Sequence, residues 1–165
     1  MKLPDGFSGI NHKQLKMHEL PEYFVHFGSN KLDRAKFVEI TDASYCGGLK
    51  PKGGLWGSNE YGHGWRLWCR EVHWNQDRLN TKFTFRLKSG ARVLNVQGDE
   101  LVRYSDDTNL GFRHYISCIN WQKVKSDYDA VYIAAGSDDQ LYMNYYGWDC
   151  DSILVLNFDV VEEVE

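Results

Sequence analysis

Short apolar runs alternate with polar turns along most of the chain, and this pattern predicts more strands than helices. Segment 23–27 joins aromatic and β-branched residues after a proline, and the polar residues 28–30 end it, so we expect a strand there. Runs of the same kind predict further strands at 82–87, 92–96, 130–134, 141–146 and 153–158. A short turn that contains Gly90 separates the first two of these, which favours a paired hairpin.

Helical periodicity is limited to a few short segments. Trp65, Trp68, Cys69 and Val72 recur at the spacing of an amphipathic helix with one buried face, and we assign these aromatic residues to the core. Short helices are also expected at 99–104 and 121–125, and a short helix or loop at 31–40. Segment 47–57 is rich in glycine and contains a proline, which predicts a loop whose backbone approaches another group closely.

The order of these elements indicates the fold class. Strands dominate the second half, and strands and helices do not alternate regularly, so the pattern favours an α+β fold over a doubly wound one. A chain of 165 residues with 42% apolar and 15% aromatic residues is about one domain, and it is large enough to bury a core without metal or disulfide support. We therefore expect one domain over 1–165, with a core at about 22–158.

Composition excludes several functional classes. The net charge of −4 gives no electrostatic footprint for a nucleic-acid backbone, so nucleic acid is an unlikely partner. The four cysteines are scattered and contain no C-x-x-C pair, so neither a zinc site nor a redox dithiol is indicated. No run is long and apolar enough for a membrane span or a secretory signal, which predicts a cytoplasmic protein with reduced thiols and no membrane partner.

Two carboxylates next to an apolar run are the strongest chemical feature. Asp149 and Asp151 come directly before the strand expected at 153–158, beside Trp148, and alternate residues of an extended chain share a face. Unpaired charge is costly to bury, so these side chains must lie in a cleft or against a partner. The alternative is a surface turn that happens to contain two aspartates, and Asp138 and Asp139 are a rival location for a catalytic acid.

Three short motifs, in this order, resemble the ADP-ribosyltransferase fold family. They are His26 with Gly28 and Ser29, then Trp56 with Ser58, and finally Asp149 with Asp151. Segments 85–94 and 128–133 are also similar to small bacterial and phage proteins of that fold, which act there as effectors, so the resemblance covers about 22–158. It implies a mixed, mostly antiparallel two-sheet β core with two or three helices. This chain has Asp where the family usually has Glu, and a glycine-rich segment where the family more often has Ser-Thr-Ser.

The resemblance also implies a reaction and a role for each residue. It implies NAD as co-substrate, release of nicotinamide, and transfer of ADP-ribose to a macromolecular acceptor, most simply a protein. Cleavage of the bond between nicotinamide and ribose builds positive charge on the ribose, which a carboxylate stabilises. Asp151 would be that carboxylate, and Asp149 would orient the nucleophile or accept its proton.

The remaining residues of the resemblance would bind NAD. Trp56 or Tyr61 would stack on the nicotinamide. His26 and Ser29, with Gly28 between them, would contact the ribose and the carboxamide, and Ser58 would support the pocket.

Other readings of these residues stay open. His26 fits a hydrogen-bonded core histidine, Ser29 a helix cap, and Trp56 a core residue under a loop. A catalytically silent module of the same fold would bind a protein or carbohydrate partner instead. A sugar hydrolase would also use two carboxylates, although it normally supplies them from separate elements.

Overall fold

The computed structural model describes residues 17–44, 50–105 and 119–164. Within these ranges it has nine strands and three α-helices. The strands are β1 (Phe24–Phe27), β2 (Thr41–Ser44), β3 (Pro51–Lys52), β4 (Leu55–Ser58), β5 (Lys82–Leu87), β6 (Val93–Val96), β7 (Ala130–Ala134), β8 (Asp151–Val155) and β9 (Val161–Val164). The helices are α1 (Trp65–Glu71), α2 (Trp121–Asp127) and α3 (Asp139–Asn144), with 3-10 turns at Arg34–Lys36, Gln76–Asn80, Glu100–Tyr104 and Phe158–Val160.

Seven of the strands form one sheet in the order β6-β7-β8-β4-β1-β5-β9, and β2 and β3 form a separate pair. All neighbours in the large sheet are antiparallel except β6 and β7, which are parallel. The α+β class, the mostly antiparallel sheet and the three helices confirm the prediction in part. Where a core of two sheets was expected, the described residues form one large sheet and the short pair β2 and β3.

The burial of residues along β5, β7 and β8 can be compared with the sequence pattern of each strand. Every residue of β7 and β8 is buried. This is expected for the continuous apolar run of β7, whereas β8 also buries the polar residues Asp151 and Ser152. In β5, which lies one strand from the edge, two phenylalanines are buried and alternate with more exposed residues.

The core lies mainly between the large sheet and the segments around α2 and α3. Its largest fully buried side chains include Trp121, Trp148, Tyr132, Tyr145, Phe24 and Phe85. Trp121 and Trp148 stack with their ring centroids 6.3 Å apart. Asn120 caps the start of helix α2, because its side chain accepts a hydrogen bond from the backbone N–H of Lys123. The first residue of the helix, Trp121, lies in this core.

The strand expected at 141–146 is wrong, because this segment contains helix α3. The Asp138 side chain accepts hydrogen bonds from the backbone N–H groups of Gln140 and Leu141 and so caps the helix start. Leu141 and Tyr145, four residues apart, are both buried, which is a helical spacing. Asp138 therefore caps α3, and Asp139 is the first residue of this helix.

The hairpin expected between the strands at 82–87 and 92–96 is also wrong. Both strands exist, but β5 pairs with β1 and β9, whereas β6 pairs only with β7 within the described sheet. The turn between them therefore links two distant parts of the sheet. Pairing partners depend on where apolar faces are buried across the whole sheet, which a local turn signal does not contain.

Three smaller expectations need correction. Helix α1 forms as predicted, but only Cys69 of its apolar stripe is fully buried, while Trp65 and Trp68 are partly buried and Val72 is exposed. Segment 47–57 contains β3 and the start of β4 instead of a continuous loop; its residues 47–49 lie outside the described ranges. No helix starts directly after Ser29, because the next turn begins at Arg34 and is capped by Asp33.

Candidate functional site

A cavity of about 340 Å³ opens where β1, β4 and the segment before β8 meet. Val25, Ser58 and Ser152 are register partners on three adjacent strands and share the face that lines it. Such a volume is at the small end of ligand-binding pockets. The described residues thus form one concave site beside the middle of the large sheet.

Histidine 26 lies where β1 and β4 separate. The two strands have one register pair, Val25 with Ser58, and the Nδ1 atom of His26 is 2.7 Å from the Trp56 carbonyl oxygen. A carbonyl oxygen only accepts hydrogen bonds, so Nδ1 carries the proton and Nε2 of the neutral ring is an acceptor. His26 lines the cavity and also contacts the Phe83 ring, with centroids 5.1 Å apart.

Two tryptophans contribute aromatic surface to the cavity. Trp56 of β4 is partly buried and packs on the fully buried Trp148, with ring centroids 4.8 Å apart. Trp65 of α1 also lines the cavity and stacks on Trp68 at 4.8 Å. Gly57, between the cavity-lining residues of β4, must lack a side chain, because a Cβ atom there would lie 2.6 Å from the Phe85 ring.

Serine 58 has a positioning role that its sequence motif does not reveal. Its hydroxyl accepts a hydrogen bond from the backbone N–H of Trp65 at 3.0 Å and donates one to the Asn59 carbonyl at 3.2 Å. The hydroxyl therefore fixes the start of α1, and with it the Trp65 ring, relative to β4.

Asp149 is the only carboxylate among the described residues that line the cavity. Its Oδ2 atom is 3.4 Å from the Lys50 ammonium, and the two side chains are 26% and 21% exposed. The same ammonium lies 5.5 Å from the centroid of the Trp56 ring. This corner thus combines a carboxylate, an aromatic ring and a cation.

Asp151 is not among the residues that line the cavity. It begins β8, and alternation along that strand directs it to the face opposite Ser152. Its carboxylate is buried and accepts hydrogen bonds from the backbone N–H of Ser137, at 2.8 Å, and from the Ser137 hydroxyl. Asp149 precedes the strand, so the alternation that was expected to place both carboxylates on one face does not apply to it.

The backbone of Asp151 has a structural role as well. Its N–H donates to the His63 carbonyl at 2.9 Å, and a Cβ atom on Gly136 would lie 2.6 Å from that same carbonyl oxygen. Asp151 therefore joins the end of β7 to the segment before α1.

The other predicted NAD-binding residues are divided between the cavity and its surroundings. Gly28, with a φ of 97°, ends β1, and its N–H donates to the Thr81 carbonyl. Ser29 donates to the Lys31 carbonyl at 3.0 Å and does not line the cavity. Tyr61 is 81% exposed and borders a separate shallow hollow, so it is not part of the cavity wall.

The surroundings of Cys150 and Asp138 determine the charge of each group. Burial raises the pKa of the Cys150 thiol to about 12, so the thiol is neutral although it lines the cavity. The Asp138 carboxylate is 2.9 Å from His18 Nε2, and this hydrogen bond, the largest cause, lowers the pKa of Asp138. Asp138 does not line the cavity and caps α3, so it has a structural role, and Asp139 is exposed on that helix.

Sequence reasoning missed several residues of the cavity. These are Lys50, Trp65, Asn75, Arg78, Cys150 and Ser152. The position of Ser152 next to two aspartates was a usable signal. Lys50 and Arg78 come from segments far from the three motifs, and no local pattern brings them to the site.

The described ranges hold no group of three or more histidine, cysteine or acidic side chains arranged for a metal ion. No helix in the described parts is long and apolar enough to cross a membrane. Comparisons of the chain with protein families, with curated proteins and with solved structures find no match.

Proposed function

We propose that this chain is an NAD-dependent mono-ADP-ribosyltransferase that releases nicotinamide and modifies a macromolecular acceptor, most simply a protein. One observation carries the proposal. His26, Trp56 and Asp149 come from the three separate motifs of the resemblance, and all three line one cavity. The motifs are 30 and 93 residues apart in the chain, so a shared cavity wall is not a trivial consequence of sequence proximity.

The chemistry needs one carboxylate at the reacting carbon. The bond between ribose C1′ and the nicotinamide nitrogen breaks, and its electron pair leaves with nicotinamide, which becomes neutral. Positive charge then develops on the ribose, and a carboxylate held close to it lowers the barrier. Because Asp149 lines the cavity and Asp151 is held by Ser137, we assign this role to Asp149.

The second half of the reaction joins the acceptor to C1′. The acceptor nucleophile forms the new bond and loses its proton, which the Asp149 carboxylate accepts as general base. The acceptor has no recognition signature in the sequence, and its side-chain class is left to experiment.

The remaining cavity residues fit substrate binding. Trp56 and Trp65 offer aromatic surfaces for the nicotinamide ring, and His26 offers Nε2 as an acceptor for a ribose hydroxyl. With a volume of about 340 Å³, the cavity suits the nicotinamide riboside half of NAD. The other half would extend from the opening past Arg78.

The test is release of nicotinamide from NAD by the purified protein, with a cell lysate added to supply acceptors. Asp149→Asn keeps the shape of the side chain and removes its charge, so we expect a loss of about 100-fold or more in turnover. Asp151→Asn should lower the stability of the protein and leave turnover per folded molecule much higher than in Asp149→Asn. Asp139→Asn, at an exposed position of α3, is the matched control and should behave as wild type.

The two aspartate variants separate the possible outcomes. Turnover that is lost in Asp151→Asn and kept in Asp149→Asn would contradict the assignment of the carboxylate. No turnover in the wild type, with NAD still bound, would support the alternative of a silent binding module. The ion pair with Lys50 favours that alternative, because an ammonium close to the Asp149 carboxylate offsets the charge that would stabilise the ribose cation.

A further inference from the structure

The Lys50 ammonium occupies a position with two features that hold a cation. A carboxylate oxygen of Asp149 lies 3.4 Å away, and the centroid of the Trp56 ring lies 5.5 Å away. A carboxylate attracts a cation by charge, and the face of an indole ring attracts it through the ring quadrupole. Both attractions act on any cation at this corner, whichever molecule supplies it.

The surroundings strengthen these attractions. Lys50 and Asp149 keep only 21% and 26% of their side-chain surfaces exposed, so water screens the pair less than it would screen a surface pair. Trp148, fully buried, packs against Trp56 and holds the ring in place. The corner is thus built for a cation and is at present filled by a side chain of the chain itself.

We propose that the corner formed by Trp56 and Asp149 is a subsite for a flat organic cation, and that Lys50 is an internal competitor which leaves when this ligand binds. The inference rests on the proposed function in one respect, the identity of the cation as the pyridinium ring of NAD. That ring is positively charged before cleavage and neutral afterwards. The subsite therefore holds the substrate more tightly than the leaving nicotinamide, which is neutral and does not compete with Lys50 for Asp149.

The experiment compares a cationic and a neutral probe of nearly the same shape. Calorimetry would measure binding of 1-methylnicotinamide, which carries the charge, and of nicotinamide, which does not. The variants are Lys50→Met, which removes the competitor, and Lys50→Arg, which keeps a cation. Lys52→Met, at an exposed position two residues further on, is the matched control.

We expect the wild type to prefer the cationic probe. Lys50→Met should bind it about fivefold more tightly, which corresponds to about 1 kcal/mol, while its affinity for neutral nicotinamide should not change. Lys50→Arg and Lys52→Met should stay within about twofold of the wild type. Trp56→Leu and Asp149→Asn should each reduce the preference for the cation, and circular dichroism of every variant checks that it is folded.

Several results would overturn the inference. Weaker binding of the cation by Lys50→Met would make Lys50 a ligand contact, and equal affinity for the two probes in that variant would remove the subsite. Undetectable binding of the cation to Lys50→Met would also remove the subsite. Preference for the cation without NAD turnover would refute the transferase and keep the subsite, whereas turnover with no effect of Lys50→Met would keep the transferase and refute the competitor.

Discussion

Replacement of Asp129 by asparagine should destabilise the fold by an amount that depends on pH in a defined way. Asp129 follows α2 and is buried, and its carboxylate oxygens accept hydrogen bonds from the backbone and side chain of Arg92 and from Asn157. Its carbonyl also accepts from the N–H groups of Leu156 and Asn157. This residue therefore ties the segment before β6 to the end of β8.

The magnitude follows from the pKa of this carboxyl group. The hydrogen bond from the Arg92 side chain is the largest cause that lowers the pKa of Asp129 from 3.8 to about 2. Because each unit of pKa shift is worth about 1.4 kcal/mol, the charged form stabilises the fold by about 2 kcal/mol. A pKa that is lowered in the folded state gives a contribution that is complete above the unfolded value, near 4. This contribution is lost as the pH falls toward 2.

Urea denaturation of wild type and Asp129→Asn, followed by circular dichroism from pH 7 to pH 2, measures this contribution. At pH 7 the variant should lose about 2 kcal/mol in the free energy of unfolding, which lowers the melting temperature by roughly 4–8 °C. The difference should fall to about 1 kcal/mol at pH 3 and to less than about 0.5 kcal/mol at pH 2. A difference that stays constant over this range would refute the electrostatic explanation and leave a packing effect. Asp139→Asn, which is exposed, should show neither effect.

Two further predictions concern the cavity. Arg78 lines the cavity and makes no side-chain hydrogen bond or ion pair within the described ranges, so Arg78→Ala should raise the KM for NAD about fivefold or more through loss of a phosphate contact, with little change in kcat. Arg70→Ala, at an exposed position of α1, is the control, and an unchanged KM in Arg78→Ala would contradict this role. Burial raises the pKa of Cys150 to about 12, so iodoacetamide at pH 8 should label this thiol far more slowly in the folded protein than in urea. Peptide mass spectrometry measures the two labelling rates, and equal rates would show that the thiol is accessible and ionised.

The strands that could be predicted are those whose burial pattern can be recognised from residues adjacent in the sequence. Segment 130–134 is a continuous apolar run and forms β7 with the predicted bounds, and 82–87 alternates and forms β5. The spacing of apolar residues and the apolarity of a run are local properties, so they predict a strand whichever strands it pairs with. Pairing is not local, and the order that places β1 between β4 and β5 had no signal in the sequence.

Helix α3 shows the limit of reading strand propensity from a short segment. The three tyrosines of segment 141–146 favour a strand when this segment is considered alone. Asp138 decides the outcome, because it satisfies two backbone N–H groups at the helix start and also bonds to His18, 120 residues away in the chain. Asp138 could be recognised from the sequence as an N-cap residue, because aspartate is common at that position. Its hydrogen bond to His18 could not be recognised, because the two residues are far apart in the chain.

The candidate site was predictable in its residue types and not in its geometry. The sequence placed two aspartates next to a strand, and the reasoning that both share a face holds only inside an extended chain. Asp151 is the first residue of β8, so the alternation of the strand sets the direction of its side chain, which is buried against Ser137. Asp149 precedes the strand, so this alternation does not apply to it, and it lines the cavity. Two positions along the chain therefore separate a structural carboxylate from a candidate catalytic one. The same boundary explains why Lys50 meets Asp149 and not Asp151, so the cation subsite and the assigned carboxylate depend on a single feature of the fold, the point at which β8 begins.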